Sequence, residues 1–276
     1  MANVSISYNG NTVFNSAIHD TVTINTAGKI CLDNIVVSYN SSTPTDAYLE
    51  ELILRTISSY SNNVITTVGC SAFLSCKNLT AVNFPNCTTI SSAAFKNCTS
   101  LTTATFPKCT TIKYQAFLYC TSLTTISFPK CTTIGSQAFA NCSNLTTINF
   151  PACTTIAGFG AFQNCSNLTT INFPACTKIS EFSAFQNCIN LTTISFPKCT
   201  TISNSAFNGA VRLISLYLMN SIVATLANSN AFSSTPIGGY STTAGTFGSI
   251  YVPASLLASY KAATNWTYFS TRFVGV

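Results

Sequence analysis

The stretch CTSLTTISFPKCTTIGSQAFANC, residues 120–142, carries three cysteines at a constant spacing of 11 residues. The residue pattern of this stretch recurs along the chain. The dipeptide Phe-Pro returns in steps of 22 or 23 residues, and Ala-Phe and Leu-Thr follow the same rhythm. A sequence period of this length predicts a repeat solenoid, in which each repeat forms one coil and stacks on the next. The Phe-Pro positions are Phe84, Phe106, Phe128, Phe150, Phe173 and Phe196.

The first half of each repeat reads as a β-strand. In LTTISFP, Ile126 and Phe128 alternate with polar residues, which predicts that both point inward while the Thr and Ser between them point outward. Pro129 then ends the strand because it has no N–H to donate. The second half, CTTIGSQAF, is predicted to return along the other side of the coil with Ile134 and Phe139 inward. Each repeat therefore adds one strand to a parallel β-sheet of 22–23-residue rungs.

The segment FPKCTTIGSQAFANCSNLTTI resembles the BspA-type leucine-rich repeat, whose consensus runs L-x-x-I-x-[LF]-P, then I-G-x-x-A-F-x-x-C-x-x-L. The resemblance covers about residues 64–232. It implies a right-handed leucine-rich-repeat coil with helical caps. It also implies surface adhesion and ligand binding rather than catalysis, and members occur in phage and prophage genes. The segment GSIYVPASLLASYKAATNWTYF (248–269) is similar to the C-terminal segment that often closes such arrays.

The N-terminal part differs from the repeats. Residues 1–42 are predicted to form a small all-β module with a hairpin turn at Asn9-Gly10. This module resembles those of some phage tail-associated proteins, which implies attachment or oligomerisation. Residues 43–60 are predicted to form a capping helix, with Thr43 as N-cap and an apolar face over the first rung.

The solenoid itself is assigned to residues 61–232 and a C-terminal capping segment to residues 233–276. Within the capping segment, PASLLASYKAATNW predicts a short helix. Tyr260 and Trp266 are expected to anchor this helix on the last rung, because a solenoid needs both of its ends covered.

Charge excludes several classes of partner. Only 7% of residues are charged, against about 25% in an ordinary domain. The net charge of +6 comes from singly spread basic residues, so no nucleic-acid partner is expected. No apolar run approaches the roughly 18 residues of a transmembrane segment, and the first residues lack the pattern of a signal peptide. We therefore expect synthesis in a reducing cytosol and a final place in a virion (phage tail) or outside the cell.

Twelve of the fourteen cysteines fall into two ladders, one after Ala-Phe and one after Phe-Pro. With no C-x-x-C pair and one histidine, neither a metal site nor another cofactor is expected. Neighbouring ladder cysteines lie close enough for disulfides, but their side chains point the same way, which favours free thiols acting as small buried fillers. Disulfides remain the alternative. The ladders are Cys76, Cys98, Cys120, Cys142, Cys165 and Cys188, and Cys87, Cys109, Cys131, Cys153, Cys176 and Cys199.

The acidic residues argue against an enzyme. Glycoside hydrolysis needs two carboxylates across a groove, and five of the six acids precede the repeats, leaving Glu181 alone in the solenoid. His19-Asp20 reads as a solvated turn. The glycine-rich stretch at 237–248 lacks the phosphate-loop pattern. The chain is therefore predicted to be non-enzymatic. The acids are Asp20, Asp33, Asp46, Glu50, Glu51 and Glu181.

Departures of the repeat from itself mark the candidate binding face. They are KYQ at 113–115, AGFG at 157–160 and SEFS at 180–183, and the longer repeats carry their extra residue here. Insertions in solenoids tend to lie on one face, often the binding face. Phe159 and Phe182 are equivalent and are expected to stack and to be partly exposed; the alternative is that they pack against neighbouring rungs. The ligand-binding candidates are Lys113, Tyr114, Gln115, Tyr119, Phe159, Glu181 and Phe182.

Two further surfaces have alternative interpretations. The outward Thr, Ser and Asn of the sheet suit either solubility with hydrogen bonds between rungs or the docking of a sugar or protein. Lys108, Lys130 and Lys198 share one position, which suits either a solvated edge or an anionic partner.

The sequence predicts a non-enzymatic binding or adhesion protein. The specific hypothesis is a phage or prophage tail-associated protein that contacts a protein or glycan on a bacterial surface, with residues 1–42 attaching it to the virion. The alternative is a BspA-type bacterial cell-surface or host-contact adhesin. No heptad or other signal specifies an oligomeric state, and a homo-oligomer remains open.

Overall fold

The computed structural model describes residues 58–240 and 247–276 in full, and only the backbone of five strands within residues 1–57. Strands β1 and β2 pair antiparallel on either side of Asn9-Gly10. Strands β3, β4 and β5 form a three-stranded antiparallel sheet. These strands are therefore not rungs, because every later strand pairs in parallel. They are β1 (Ser5–Tyr8), β2 (Asn11–Asn15), β3 (Val22–Asn25), β4 (Lys29–Leu32) and β5 (Ile35–Ser38).

The predicted strand of each repeat forms what we call the front sheet. Its central residue faces the core and its flanking residues face solvent, as the alternation predicts. β-Branched residues dominate these strands because they fit a half-buried pleated surface. The strands are β6 (Ser59–Ser61), β8 (Ala81–Asn83), β10 (Thr103–Thr105), β12 (Thr125–Ser127), β14 (Thr147–Asn149), β16 (Thr170–Asn172), β18 (Thr193–Ser195), β20 (Ser215–Tyr217), β22 (Ser249–Val252) and β23 (Phe273–Gly275).

The return side of each coil, predicted with Ile134 and Phe139 inward, contributes a second strand of two residues. These strands form a continuous eight-stranded parallel sheet, the back sheet. Its inward position holds Val, Ile or Leu throughout, so each rung closes on the core from both sides. The strands are β7 (Thr67–Val68), β9 (Thr89–Ile90), β11 (Thr111–Ile112), β13 (Thr133–Ile134), β15 (Thr155–Ile156), β17 (Lys178–Ile179), β19 (Thr201–Ile202) and β21 (Thr225–Leu226).

Two ladders of phenylalanine fill the core between the sheets. Neighbouring rings of each ladder stack on one another, as Phe117 does on Phe139 with 5.1 Å between centroids. Phe173 and Phe196 are the exception, since their rings are tilted and 6.2 Å apart. Rings of the two ladders meet edge to face or tilted, as Phe139 and Phe150 do at 5.9 Å. Such contacts add to the free energy gained by burying the rings. One rung alone exposes these faces, so the stack is the unit of stability.

The cysteine ladders lie in the same core. All thirteen cysteines among the fully described residues are free, and the twelve of the two ladders are buried. In the ladder after Ala-Phe, the five thiols from Cys98 to Cys188 each donate to a phenylalanine carbonyl of the preceding rung, as Cys142 Sγ does to Phe117 O at 3.2 Å. In the other ladder the acceptor lies two residues ahead, as from Cys131 Sγ to Thr133 O at 3.3 Å. The thiols thus act as small fillers whose one donor is satisfied.

Threonine hydroxyls tie successive rungs together. Thr102 Oγ1 donates to Thr80 O at 3.0 Å on the front side, and Thr110 Oγ1 donates to Thr88 O at 3.2 Å on the back side. The same bond recurs at most other steps. This explains the abundance of threonine in a chain with few charges, since each hydroxyl stays in contact with solvent while it bridges two rungs.

The predicted capping helix at 43–60 is wrong for its last residues. Ser59 and Tyr60 belong to β6, and Tyr60 packs against Phe73 and Phe84 with ring centroids at 5.1 and 5.3 Å. The reason is register, because Tyr60 precedes Val82 by one full repeat and occupies the same inward position. The remainder of that prediction, residues 43–57, lies outside the described residues.

At the other end, the front sheet continues past the predicted boundary at residue 232, because β22 and β23 add two parallel strands. Between β22 and β23 lie α1 (Leu257–Ala262) and short 3-10 turns at Ala254–Leu256 and Trp266–Phe269. A further 3-10 turn, Ser229–Phe232, precedes β22. Tyr260 and Trp266 are fully buried, as expected of anchors. Trp266 Nε1 donates to Ala224 O at 2.6 Å, which ties the terminal segment to the last repeat.

Candidate functional site

The candidate residues lie where each coil of the solenoid turns from its back strand towards the next front strand. Backbone bonds between rungs fix which residues are equivalent. Gln115 N–H donates to Ser136 O, Gln137 N–H to Phe159 O, and Gly160 N–H to Phe182 O, each at 2.8 or 2.9 Å. One column therefore runs through Tyr114, Ser136, Phe159 and Phe182. We call Tyr114, Phe159, Phe182 and the nearby Tyr119 the aromatic edge.

All four rings of the aromatic edge are half exposed: Tyr114 is 51% exposed, Tyr119 45%, Phe159 42% and Phe182 50%. The expected stacking of Phe159 on Phe182 is wrong, because no ring contact joins them within the described residues. The inner phenylalanines stack because neighbours hold them on every side, and a half-exposed ring lacks that constraint. The aromatic edge thus presents separate rings to solvent.

Close backbone packing places these rings. A Cβ on Gly158 would lie 2.2 Å from the carbonyl carbon and oxygen of Gly135, and one on Gly135 would lie 2.8 Å from the carbonyl carbon of Lys113. Only glycine permits this approach. The extra residue of the 23-residue repeat is therefore accommodated by two glycines stacked in adjacent rungs, and the neighbouring Phe159 is directed to solvent.

The polar candidates divide into two kinds. Gln115 is half-buried and belongs to a row of hydrogen-bonded side chains. Lys96 Nζ donates to Gln115 Oε1 at 2.9 Å, and Gln115 Nε2 donates to Gln137 Oε1 at 2.8 Å. Lys113 and Glu181 are exposed, and within the described residues their side chains have no hydrogen-bond or ion-pair partner. Only the latter two are thus free to meet a ligand without breaking an existing bond.

A second column, which the sequence analysis did not identify, explains Tyr119. Asn164 Nδ2 donates to Asn141 Oδ1 at 2.9 Å, and Asn187 Nδ2 to Asn164 Oδ1 at 3.0 Å. These asparagines have left-handed backbone, with φ near 60°, and so has Tyr119 at 61°. Asparagine tolerates this region, whereas for a bulky residue it is an outlier. The signal was present in the sequence, because Tyr119 stands where other repeats have Asn before Cys.

Replacing Tyr119 by asparagine is expected to stabilise the fold. A bulky residue in the left-handed region costs about 1–2 kcal/mol of conformational free energy, and asparagine has a smaller cost there. The new amide would also lie between Asn97 and Asn141 in the column. We expect a gain of about 1 kcal/mol in the free energy of unfolding, measured by urea denaturation.

Tyr114→Asn is the matched control for this change. It removes an equally exposed tyrosine from a position whose φ is not left-handed, so no gain is expected. An unchanged or lower stability of Tyr119→Asn would show that the backbone at this position carries no removable cost.

The lysines that follow Phe-Pro show no common ligand-holding arrangement. Lys108 Nζ donates to Asn86 Oδ1 at 2.7 Å, while Lys130 and Lys198 are exposed. Glu181 is the one acidic residue in the described ranges 58–240 and 247–276. Over those ranges, no three residues of the His, Cys, Asp or Glu types come together as a metal site would require, and no helix is both long and apolar enough to cross a bilayer.

Comparison with known proteins agrees with this architecture. The sequence model of the BspA type leucine rich repeat region matches in six copies, over residues 41–156 and 110–238. A search of the curated proteins gave no match.

Among solved structures, the chain is similar to a leucine-rich repeat protein of T. pallidum, with 21% identity, a TM-score of 0.46 and coverage of 64% of this chain and 76% of that one. A leucine-rich cell surface protein of Faecalibacterium prausnitzii has 17% identity, a TM-score of 0.44 and coverage of 79% and 78%. A leucine-rich repeat protein of Bacteroides ovatus has 16% identity, a TM-score of 0.38 and coverage of 85% and 70%. With its six repeat copies spanning more than half of the sequence, the chain belongs to the BspA type leucine-rich repeat family.

Proposed function

We propose that this protein is a non-enzymatic binding protein that attaches to a protein or glycan on a cell surface through the aromatic edge. The observation that carries the proposal is that Tyr114, Phe159 and Phe182, three half-exposed rings, occupy one column of equivalent positions, with Ser136 between the first two. Aromatic side chains are enriched at the centres of interfaces, where a few residues supply most of the binding energy.

Two features of the edge support recognition over mere surface packing. Lys113 and Glu181 flank the rings with opposite charges, and within the described residues their side chains have no hydrogen-bond or ion-pair partner, so they can add specificity to an apolar contact. Tyr119 has a left-handed backbone conformation that asparagine would adopt at a lower cost in free energy. Strained backbone of this kind clusters at functional positions.

Removing both phenylalanines of the edge tests this function. Phe159→Ala/Phe182→Ala is expected to weaken binding of the labelled protein to whole bacterial cells by about thirtyfold to several-hundredfold, because each buried interface aromatic contributes on the order of 1–2 kcal/mol. Flow cytometry over a protein dilution series gives the apparent Kd. Undiminished binding by the double variant would remove the aromatic edge from consideration.

The matched control is Tyr268→Ala. Tyr268 is 75% exposed and lies in the C-terminal segment, away from the edge. Its removal takes away as much exposed aromatic surface, so it should leave cell binding within about twofold of the wild type.

Within this function we propose a place on a phage or prophage tail, with residues 1–42 as the attachment module. The support is the antiparallel pairing of β1 to β5, which makes this part distinct from the rungs, together with its resemblance to tail-associated modules. Mass spectrometry of purified particles should detect the protein in them. A variant without residues 1–42 should be absent from the particles while the purified variant still binds cells.

The second candidate is a bacterial cell-surface or host-contact adhesin, which family membership favours. The same fractionation separates the two. Recovery of the protein in the cell envelope, with none in purified particles, would support the adhesin and contradict the tail assignment.

A further inference from the structure

The front sheet is interrupted twice, between β10 and β12 and between β16 and β18, while the back sheet runs on without a break. At an intact step, Thr102 N–H donates to Thr80 O at 2.8 Å. The equivalent bond from Thr124 N–H to Thr102 O is not formed, and the hydroxyl bond of Thr124 to Thr102 is missing as well. On the front side of these two rungs, the backbone bond and the side-chain bond between Thr102 and Thr124 are therefore both missing.

The other side of the first break shows the same loss. Phe84 N–H donates to Thr105 O at 2.9 Å at an intact step, whereas Phe106 N–H makes no bond to Ser127 O. Within the described residues, the N–H groups of Phe106 and Thr124 have no acceptor. An unpaired backbone N–H is costly away from water, so these donors need solvent or a ligand.

The small residue at position 104 leaves room for a cleft at the first break. The central inward residue of the neighbouring front strands is Val82 or Ile126, each at most 3% exposed. β10 has Ala104 there, and it is partly exposed. The smaller side chain leaves the space that a branched residue fills in the other rungs. At the second break, Ile171 keeps the large side chain.

The resulting cleft has a volume of about 360 Å³ and opens on the front face. Its walls carry five hydroxyl groups and two proline rings, and none of its lining residues is charged. Hydroxyls both donate and accept hydrogen bonds, and proline rings are apolar. The residues with these groups are Thr102, Thr103, Thr105, Thr125, Ser127, Pro107 and Pro129.

The width of the break decides what enters it. A peptide strand inserted between β10 and β12 would need the two strands about 9.6 Å apart, twice the normal spacing. The rings of Phe106 and Phe128 lie 5.8 Å apart across the break, against 5.2 Å for Phe84 and Phe106 at an intact step. The rungs are thus still adjacent, and the cleft admits a small ligand from the front face but no strand.

We propose that this cleft is a binding site for one neutral sugar unit. A sugar ring has several hydroxyls at its rim and apolar C–H faces, which match the hydroxyls, the unpaired N–H group of Phe106 and the proline rings that line the cleft. The volume lies at the small end of the roughly 300–1,000 Å³ of ligand pockets. The cleft lies on the front face and the aromatic edge lies beyond the back strands, so either site can fail while the other binds.

Filling the cleft with the side chain of the neighbouring rungs tests the proposal. Ala104→Ile restores the residue found at Ile126 and is expected to keep the fold. Val82→Ile is the matched control, since it enlarges the same position at an intact step. The ¹⁵N-labelled full chain is titrated with glucose, galactose, rhamnose and N-acetylglucosamine, each up to about 50 mM because weak sites bind in the millimolar range.

At least one of these sugars should shift the backbone amide signals of Phe106 and Thr124 saturably in the wild type and in Val82→Ile. Ala104→Ile should weaken that binding by about tenfold or more. If Ala104→Ile does not fold, Thr105→Val/Thr125→Val removes two hydroxyls without filling the cleft and should weaken binding to a similar degree.

Three results would overturn the proposal. One is the absence of shifts at these amides with every sugar of the panel. Another is equal binding by Ala104→Ile and the wild type. The third is a response of these amides to a short extended peptide without a response to sugars, which would make the break a strand-pairing site.

Discussion

Raising the pH from about 8 to about 11 is expected to unfold the solenoid, because its core thiols must stay protonated to remain buried. Burial raises the pKa of Cys109 and Cys176 from the ordinary value of 9.0 to about 12, and that of Cys153 and Cys199 to about 11. Burial also raises the pKa of Cys142 to about 12. In the unfolded chain these thiols ionise close to their ordinary value.

The direction of the effect follows from proton binding. Between the unfolded and folded pKa values, the unfolded chain has lost protons that the folded chain keeps, so the free energy of unfolding falls as pH rises. The stabilisation is complete below about pH 9 and is lost as pH approaches 11 to 12. Each thiol contributes about 1.4 kcal/mol per pH unit, and several titrate together. Since domains are stable by about 5–15 kcal/mol, unfolding within this window is expected.

Circular dichroism and thiolate absorbance during one alkaline titration check this prediction. Secondary structure and thiol protons should be lost together. Cys142→Ala removes one buried thiol and should reduce the pH slope of stability by about 1.4 kcal/mol per unit. Cys70→Ala is the matched control, because Cys70 is exposed and lies outside the ladders. A stability that stays constant to about pH 11 would contradict the expected burial of the thiols.

Phe139→Ala is expected to destabilise the protein by about 3–5 kcal/mol. Phe139 is fully buried in the middle of the stack, with ring centroids of Phe117 and Phe162 at 5.1 and 5.4 Å. The cavity left by the ring would also separate the rungs on its two sides. Because each rung contacts only its neighbours, such a gap weakens the coupling between both halves of the solenoid. Urea denaturation followed by circular dichroism measures the loss.

Phe159→Ala is the control for that measurement, because it removes the same side chain from the aromatic edge at 42% exposure. Its stability should change by about 0.5 kcal/mol or less. Equal losses in Phe139→Ala and Phe159→Ala would show that the phenylalanine ladder does not carry the stability of the stack.

Local rules were sufficient where a residue's environment repeats from rung to rung. The inward positions of Ile126, Phe128 and Phe139, and the ladder positions of the cysteines, follow from a two-residue alternation combined with a 22-residue period. The same rules failed at Tyr60. Its apolar spacing with earlier residues suggested a helix, whereas its distance of one repeat from Val82 places it in the first rung.

The candidate site was predictable only in part. The sequence located Phe159 and Phe182 because the repeat lengthens there, and both rings are half exposed. Their lack of stacking depends on side-chain freedom at a solvent edge, which periodicity does not encode. The cost carried by Tyr119 depends on a left-handed φ that the asparagine column shares, and this becomes visible only when the rungs are aligned in space.

The sequence by itself determined the length of the rung, the inward and outward residues, and the buried thiols, since each of these depends on contacts between equivalent positions one repeat apart. The tertiary structure alone decided the second sheet, the two interruptions of the front sheet and the cleft at Ala104. These features depend on how the strands of successive coils pair in space: the back strands stay hydrogen-bonded at every step, whereas the front strands lose their bonds at two steps, and at the first of these Ala104 leaves room for the cleft.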